Sequence, residues 1–202
     1  MFYEPRNGHG LPHDPSKAIV APRPIGWIST LDENGIANLG PYSFFNMLSS
    51  RPMLVWFSSE GPKDSATHAE ASGEFVVNLV GRELAEKMNR SAVDAPRGTS
   101  EFGYAGLAAA PCRLVKPPRV AEAHAALECK VTHVGHPPAI DGPLMSSIVV
   151  TGEVVGVHID DAMLKDGLFD TVAAGNVGRL GYMDYVSVDS VFAMRRPRWK
   201  ED

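Results

Sequence analysis

Cysteine is scarce in this chain. Of 202 residues only Cys112 and Cys129 are cysteines, too few for a disulfide framework. Both read as free thiols, and no neighbouring motif marks either as a nucleophile. Positive charge is not in excess: 19 Lys and Arg stand against 24 Asp and Glu, a net charge of −5. That argues against a general nucleic-acid binder, which would show a basic stripe. No apolar run approaches the roughly 18 residues of a membrane span. The start, "MFYEPRNGHGLPHDPSK", lacks the apolar core of a secretory signal, so a cytoplasmic setting is the expectation. No Gly-Lys pair occurs, so there is no P-loop, and there is no G-x-S-x-G elbow. "GNVGRLG" at 175–181 has neither the glycine spacing of a dinucleotide fingerprint nor a preceding strand. His133 and His136 are three apart, but Pro137 follows and no third ligand is evident. They read as surface or loop histidines, and no metal is expected.

What the chain does have is an ordinary globular balance, 44% apolar and 21% charged, at a length that buries a real core. Residues 1–17 read as an extended arm, and residues 18–202 as one domain. "PIGWISTL" predicts a strand over Ile25 to Leu31. Asn34-Gly35 follows as a hairpin turn, since both residues tolerate positive φ. "IANLGPYSFFNMLSS" is the returning strand and its exit, and "RPMLVWFSS" a buried strand. "KDSATHAEASG" predicts a helix capped by Asp64 or Ser65 and closed by Gly73. "EFVVNLV" is the next strand. "RELAEKMNRSA" sets Leu84, Ala85, Met88 and Ala92 on one helical face. Residues 94–119 read as an irregular excursion. "ALECKVTHVGH" and "SSIVVTGEVVGVHI" predict two more strands, "DDAMLKDG" a capped helical stretch, and "DYVSVDSVFAM" a last strand. Six or seven strands without sustained strand–helix–strand alternation point to a mainly β fold, an antiparallel barrel with a few short helices.

Gly40 to Leu79 holds seven serines, Ser43, Ser49, Ser50, Ser58, Ser59, Ser65 and Ser72, and a lone Lys63. A phosphate needs several donors at once and usually a cation. Ser58 and Ser59 end one predicted strand, and Lys63 stands just before a predicted helix start, where unpaired N–H groups favour an anion. These groups can converge on one phosphate. Equally, the serines can cap and turn the chain while Lys63 is solvated. Composition alone favours the second reading.

Several motifs, in order, resemble the flavin reductase-like FMN-binding split-barrel family. "RPIGWISTLDENGIANLGPYSFFN" is similar to its first hairpin, and "SSRPMLVWFSS" to its next strand. "KDSATHAEASGEFVVNL" resembles its Lys-Asp-Thr helix and following strand. "GEVVGVHIDDAML" and "GRLGYMDYVSV" resemble its late segments. The likeness covers roughly residues 18 to 190. Ser65 stands where that family often has Thr, His68 where it often has Asn, and Tyr42 where it often has Phe.

The resemblance implies an antiparallel split β-barrel of Greek-key type. It further implies a homodimer binding FMN near the subunit interface and, usually, NAD(P)H-dependent flavin reduction. Ser29 and Thr30 would lie by the flavin, and Ser43, Phe44 and Asn46 would line its ring or ribityl chain. Ser58, Ser59, Lys63 and Ser65 would gather at the phosphate. Arg179 and Tyr182 would close the site, from the same subunit or from the other one. His158 is either a nicotinamide contact or a solvent-facing strand residue, and Asn78 is a match that also suits buried backbone. No essential acid–base residue is predicted, because hydride transfer belongs to the flavin. No arginine cluster marks a 2′-phosphate site, so NADH and NADPH stand equally as donor. Free flavin, a small-molecule acceptor or a monooxygenase component would take the electrons; no nucleic acid or membrane partner is implied. An FMN-binding electron carrier without efficient nicotinamide oxidation is the alternative, and an FMN enzyme acting on a small organic substrate is a third reading.

Overall fold

The computed structural model describes residues 1–199. Seven strands form one antiparallel sheet: β1 (Gly26–Leu31), β2 (Ala37–Tyr42), β3 (Phe45–Ser50), β4 (Met53–Glu60), β5 (Glu74–Asn78), β6 (Ala125–Gly135) and β7 (Ser147–Ile159). Their spatial order is β2-β1-β5-β6-β7-β4-β3. The sheet curls without closing, since its two edges are not bonded to each other. This is the expected antiparallel split barrel. Two register shifts in the long β6–β7 pair, at Thr151/Gly152 and Val154/Gly156, supply bends that help it curl.

The β1–β2 hairpin forms as expected, with one difference at its turn. Only Gly35 takes positive φ, +78°, and Asn34 does not. The Asp32 carboxylate does the rest, accepting from the N–H groups of Asn34 at 2.9 Å and Ile36 at 2.7 Å. The segment after it is two strands rather than one, because the chain turns a corner at Ser43 and Phe44.

Strand β1 is buried on both faces, which is why its sequence does not alternate cleanly. Ile28 points into the barrel with Val55, Phe57, Phe75, Val77 and Val150. Trp27 points outward into a second core with Leu39, Leu84, Met88 and Phe102. Helix α1 (Asp64–Ser72) packs its small residues Ala66 and Ala69 on the barrel core. Gly73 ends it at φ +72°, donating its N–H to the Ala69 carbonyl. Neither Asp64 nor Ser65 is the N-cap; Lys63 holds that position, and no side chain caps the start. The next predicted helix is a 3₁₀ turn, Arg82–Leu84, running into α2 (Ala85–Arg90). Leu84 and Met88 are buried as expected, whereas Ala92 is exposed.

The irregular excursion carries a short helix, α3 (Glu101–Ala105), and a two-residue strand pair, Ala109–Ala110 with Arg119–Val120. Side chains of the main sheet pin it in place. Glu74 accepts from the Lys116 N–H, Asn78 from Val120, and Ser29 donates to the Pro118 carbonyl. "DDAMLKDG" is a single 3₁₀ turn capped by Asp160, followed by a small hairpin. The last predicted strand shortens to Tyr185–Ser187, which joins Val177–Arg179 and Arg23–Pro24 in a three-stranded sheet. No helix among the described residues is long and apolar enough to cross a membrane.

Candidate functional site

A cleft of about 520 Å³ opens where the β2–β3 corner, the end of β4 and the start of α1 meet. Ser43 and Phe44 line it from the corner, Ser58 from β4, and Lys63 and Ser65 from the helix start. The corner is fixed by a backbone bond from the Ser58 N–H to the Phe44 carbonyl at 2.8 Å. The hydroxyls of Ser43 and Ser58 have no hydrogen-bond partner among the described residues, so they are available to a ligand. Ser65 is buried, and its Oγ accepts from Asn38 Nδ2 at 2.9 Å.

Helix α1 begins with its first N–H groups uncapped by any side chain and with Lys63 at the N-cap. Such a start combines free donors with the positive end of the helix dipole. Lys63 has no ion-pair partner among the described residues, whereas the neighbouring Asp64 pairs with Arg97 at 3.4 Å. Arg97 and Asp94 enter the cleft on the segment after α2. That segment is anchored at Ser91, which accepts from the buried Trp27 indole at 2.8 Å and donates to the Met88 carbonyl. Glu101, largely buried at the cleft, accepts from the Leu39 N–H at 2.9 Å, and its burial raises the carboxyl above its ordinary range. Burial likewise raises the Tyr42 phenol, against the lowering effect of the nearby Ser65 and Ser59.

The other expected site residues lie differently. Ser29 and Thr30 are fully buried. Ser29 bonds Pro118, and Thr30 meets Asn38 at 3.3 Å, behind Ser65. Ser59 is buried too and donates to the Gly61 carbonyl at 2.8 Å, shaping the turn before α1. Asn46 is exposed on β3, and its Oδ1 accepts from the Met47 N–H. Arg179 donates to the Tyr182 carbonyl and stacks on Tyr185, with its guanidinium carbon 4.3 Å from the ring centroid. Tyr182 is exposed at φ +56° and meets His13 edge-on. None of these six is among the residues that line the cleft. Asn78 donates to the Trp27 carbonyl and accepts from Val120, so it satisfies buried backbone.

His158 is also outside the cleft. Its Nε2 lies 2.5 Å from Oε1 of Glu128, which is 1% exposed. The same carboxylate accepts from the N–H groups of Arg113 at 2.8 Å, Leu114 at 2.5 Å and Val115 at 3.1 Å. Cys112 stands close by, so that one potential ligand atom from each of Cys112, Glu128 and His158 falls within a 4.8 Å group. The four donors already occupy the carboxylate lone pairs that a metal would use. Burial, and the Glu128 charge after it, push the Cys112 thiol up to about 11, and burial raises Cys129 as well. Both cysteines are unpaired thiols.

Comparison with known proteins gives this arrangement its context. The model of the flavin reductase like domain matches residues 20–177. The chain belongs to the flavin reductase-like family. An uncharacterized protein of Halalkalibacterium halodurans is 36% identical over 189 residues, covering 88% of this chain and 87% of the relative. Nitrilotriacetate monooxygenase component B from Bacillus cereus superposes with a TM-score of 0.85 at 25% identity, covering 96% of this chain and 98% of that one. The 2-nitrobenzoate 2-nitroreductase of Pseudomonas fluorescens gives 0.81 at 26% identity, covering 93% and 91%. Membership in the flavin reductase-like family supports flavin binding and a flavin-related oxidoreductase. Arg97, Asp94 and Lys17 are among the cleft residues that the sequence does not mark as a site. They come from short or irregular segments with no periodic pattern, and each offers only an isolated charge, positive at Arg97 and Lys17 and negative at Asp94.

Proposed function

We propose that this flavin reductase-like protein binds FMN in the cleft and passes hydride from NADH or NADPH to it. One observation carries the reading: an uncapped helix start, with Lys63 at its N-cap, faces the same cleft as the unbonded hydroxyls of Ser43 and Ser58. Those groups fit a phosphate in number and charge. Lys63 and the first N–H groups of α1 hold the phosphate, with Ser58 beside them. Phe44 and Ser43 border the rest of the ligand. Bound FMN supplies the hydride acceptor. The chain's own part is to bind, to orient and to wall off water, and no side chain in the cleft is assigned a proton-transfer role.

The proposal includes a homodimer and a further acceptor for the electrons, either free flavin or a monooxygenase component. The likeness to component B of nitrilotriacetate monooxygenase supports the second acceptor. The test is NADH and NADPH oxidation by the FMN-loaded protein, with and without added free flavin. Turnover that rises with free flavin is the expected result. A yellow protein that oxidises neither nucleotide would show an electron carrier instead. Light scattering at micromolar concentration should return twice the 21.8 kDa chain mass, and a monomer mass would remove the dimer.

A further inference from the structure

Two cations flank one aromatic ring of the cleft. The Lys17 ammonium is 5.6 Å from the Phe44 ring centroid, and the Arg23 guanidinium carbon is 6.0 Å from it. Lys17 lines the cleft itself. Arg23 is 8% exposed, and a guanidinium so buried ordinarily sits against a carboxylate. Among the described residues Arg23 has none within 4 Å. It donates instead to the carbonyls of Lys17, Val20 and Leu180, while its Nε has no partner.

An arginine spent on three main-chain carbonyls is a clamp. It ties the short turn Ser16–Ile19 to the segment at Leu180, and one of the carbonyls it grips is that of Lys17. The backbone carrying Lys17 is thereby fixed, with the side chain over Phe44. Lys17 has no ion-pair partner among the described residues, and the nearby Asp14 carboxylate accepts from the Ser16 N–H at 2.8 Å. The cleft thus holds two lysines without an ion pair, Lys63 at the helix start and Lys17 on the clamped turn.

We infer that Lys17 is a binding residue for the pyrophosphate of the nicotinamide dinucleotide. This rests on the reading that FMN occupies the cleft and is reduced there. Two phosphate-bearing molecules must then meet in one cleft. The donors at the start of α1 suit the single phosphate of FMN. The dinucleotide brings two more negative charges, and Arg97 is already held by Asp64. Lys17 is the cation left over. Its contact with the Phe44 face is weaker than a charge-assisted hydrogen bond, so a phosphate oxygen displaces it readily.

The test uses FMN-saturated protein titrated by calorimetry with ADP-ribose, which carries the pyrophosphate but transfers no hydride. NADH turnover is measured alongside. Lys17→Met is expected to weaken ADP-ribose binding about tenfold and to raise the KM for NADH to a similar extent, with kcat and FMN affinity within about twofold, the pattern of lost uniform binding. Lys17→Arg should restore most of the loss. Unchanged ADP-ribose binding in Lys17→Met would overturn the inference alone. So would an equal loss of FMN, which would make Lys17 a flavin residue. Should the unaltered protein bind FMN but neither ADP-ribose nor NADH, the hydride reading falls and takes this inference with it.

Discussion

Replacing Lys63 with Ala is expected to weaken FMN binding ten- to a hundredfold and to leave riboflavin affinity almost unchanged. Lys63 is exposed, has no ion-pair partner among the described residues and supplies no side-chain cap to α1. Truncation therefore removes a charge without loosening the helix. One charge-assisted contact is worth about 1.5–3 kcal/mol, which is roughly the stated factor in affinity. Riboflavin has no phosphate and should not register the change. The loss should shrink as salt rises, because the contact is open to solvent. Fluorescence titrations with both flavins decide it, and equal weakening of the two would take Lys63 out of the phosphate site.

The other large effect concerns stability. Glu128→Ala should lower the unfolding free energy by about 3–5 kcal/mol, the range for breaking a buried charged network. In a chain of this size that is a fall in Tm of about 6–20 °C. The carboxylate is buried, and its removal strands the N–H groups of Arg113, Leu114 and Val115 together with the His158 ring. Desolvation acts to raise the Glu128 carboxyl, but the bonds from Arg113, His158 and Leu114 outweigh it and hold it below the ordinary value of 4.5. A group depressed in the folded state gives stability that is fully present above its unfolded pKa and is lost as pH falls through the folded one. The unaltered protein should therefore lose stability below about pH 4.5 more steeply than Glu128→Gln does. A calorimetric Tm for Glu128→Ala within two degrees of the parent would show that the network holds nothing.

Much of the barrel can be read locally. Gly35, Asp32 and the apolar runs on either side specify the first hairpin through neighbours in sequence. The Lys63–Gly73 stretch carries its own stop in Gly73, although neither Asp64 nor Ser65 caps its start. The excursion over 94–119 is different in kind. Its backbone is satisfied by Glu74, Asn78 and Glu128, and it takes a hydrogen bond from Ser29, at sequence separations of 13 to 89 residues. No local pattern reports such partners. For the same reason Ser29 and His158 look like site residues in sequence, yet in space they serve the excursion or its anchor. Lys17 is the converse case. Nothing around it in sequence marks a site, because what places it in the cleft is Arg23 reaching back to a carbonyl.

The seam of the barrel lies between two strands that are consecutive in the chain. β2 and β3 are opposite edges of the sheet, yet only Ser43 and Phe44 join them. Three Cα-to-Cα steps span at most about 11 Å, so the edges can never part further than that at this corner. The far ends, at Ala37 and Ser50, carry no such tether. Any breathing of the sheet that widens the seam must pivot on the Ser43–Phe44 link, like a door on its hinge post. The cleft wall built from those two residues thus stands where the seam can open least, and each residue added to the link would lengthen the tether by about 3.8 Å.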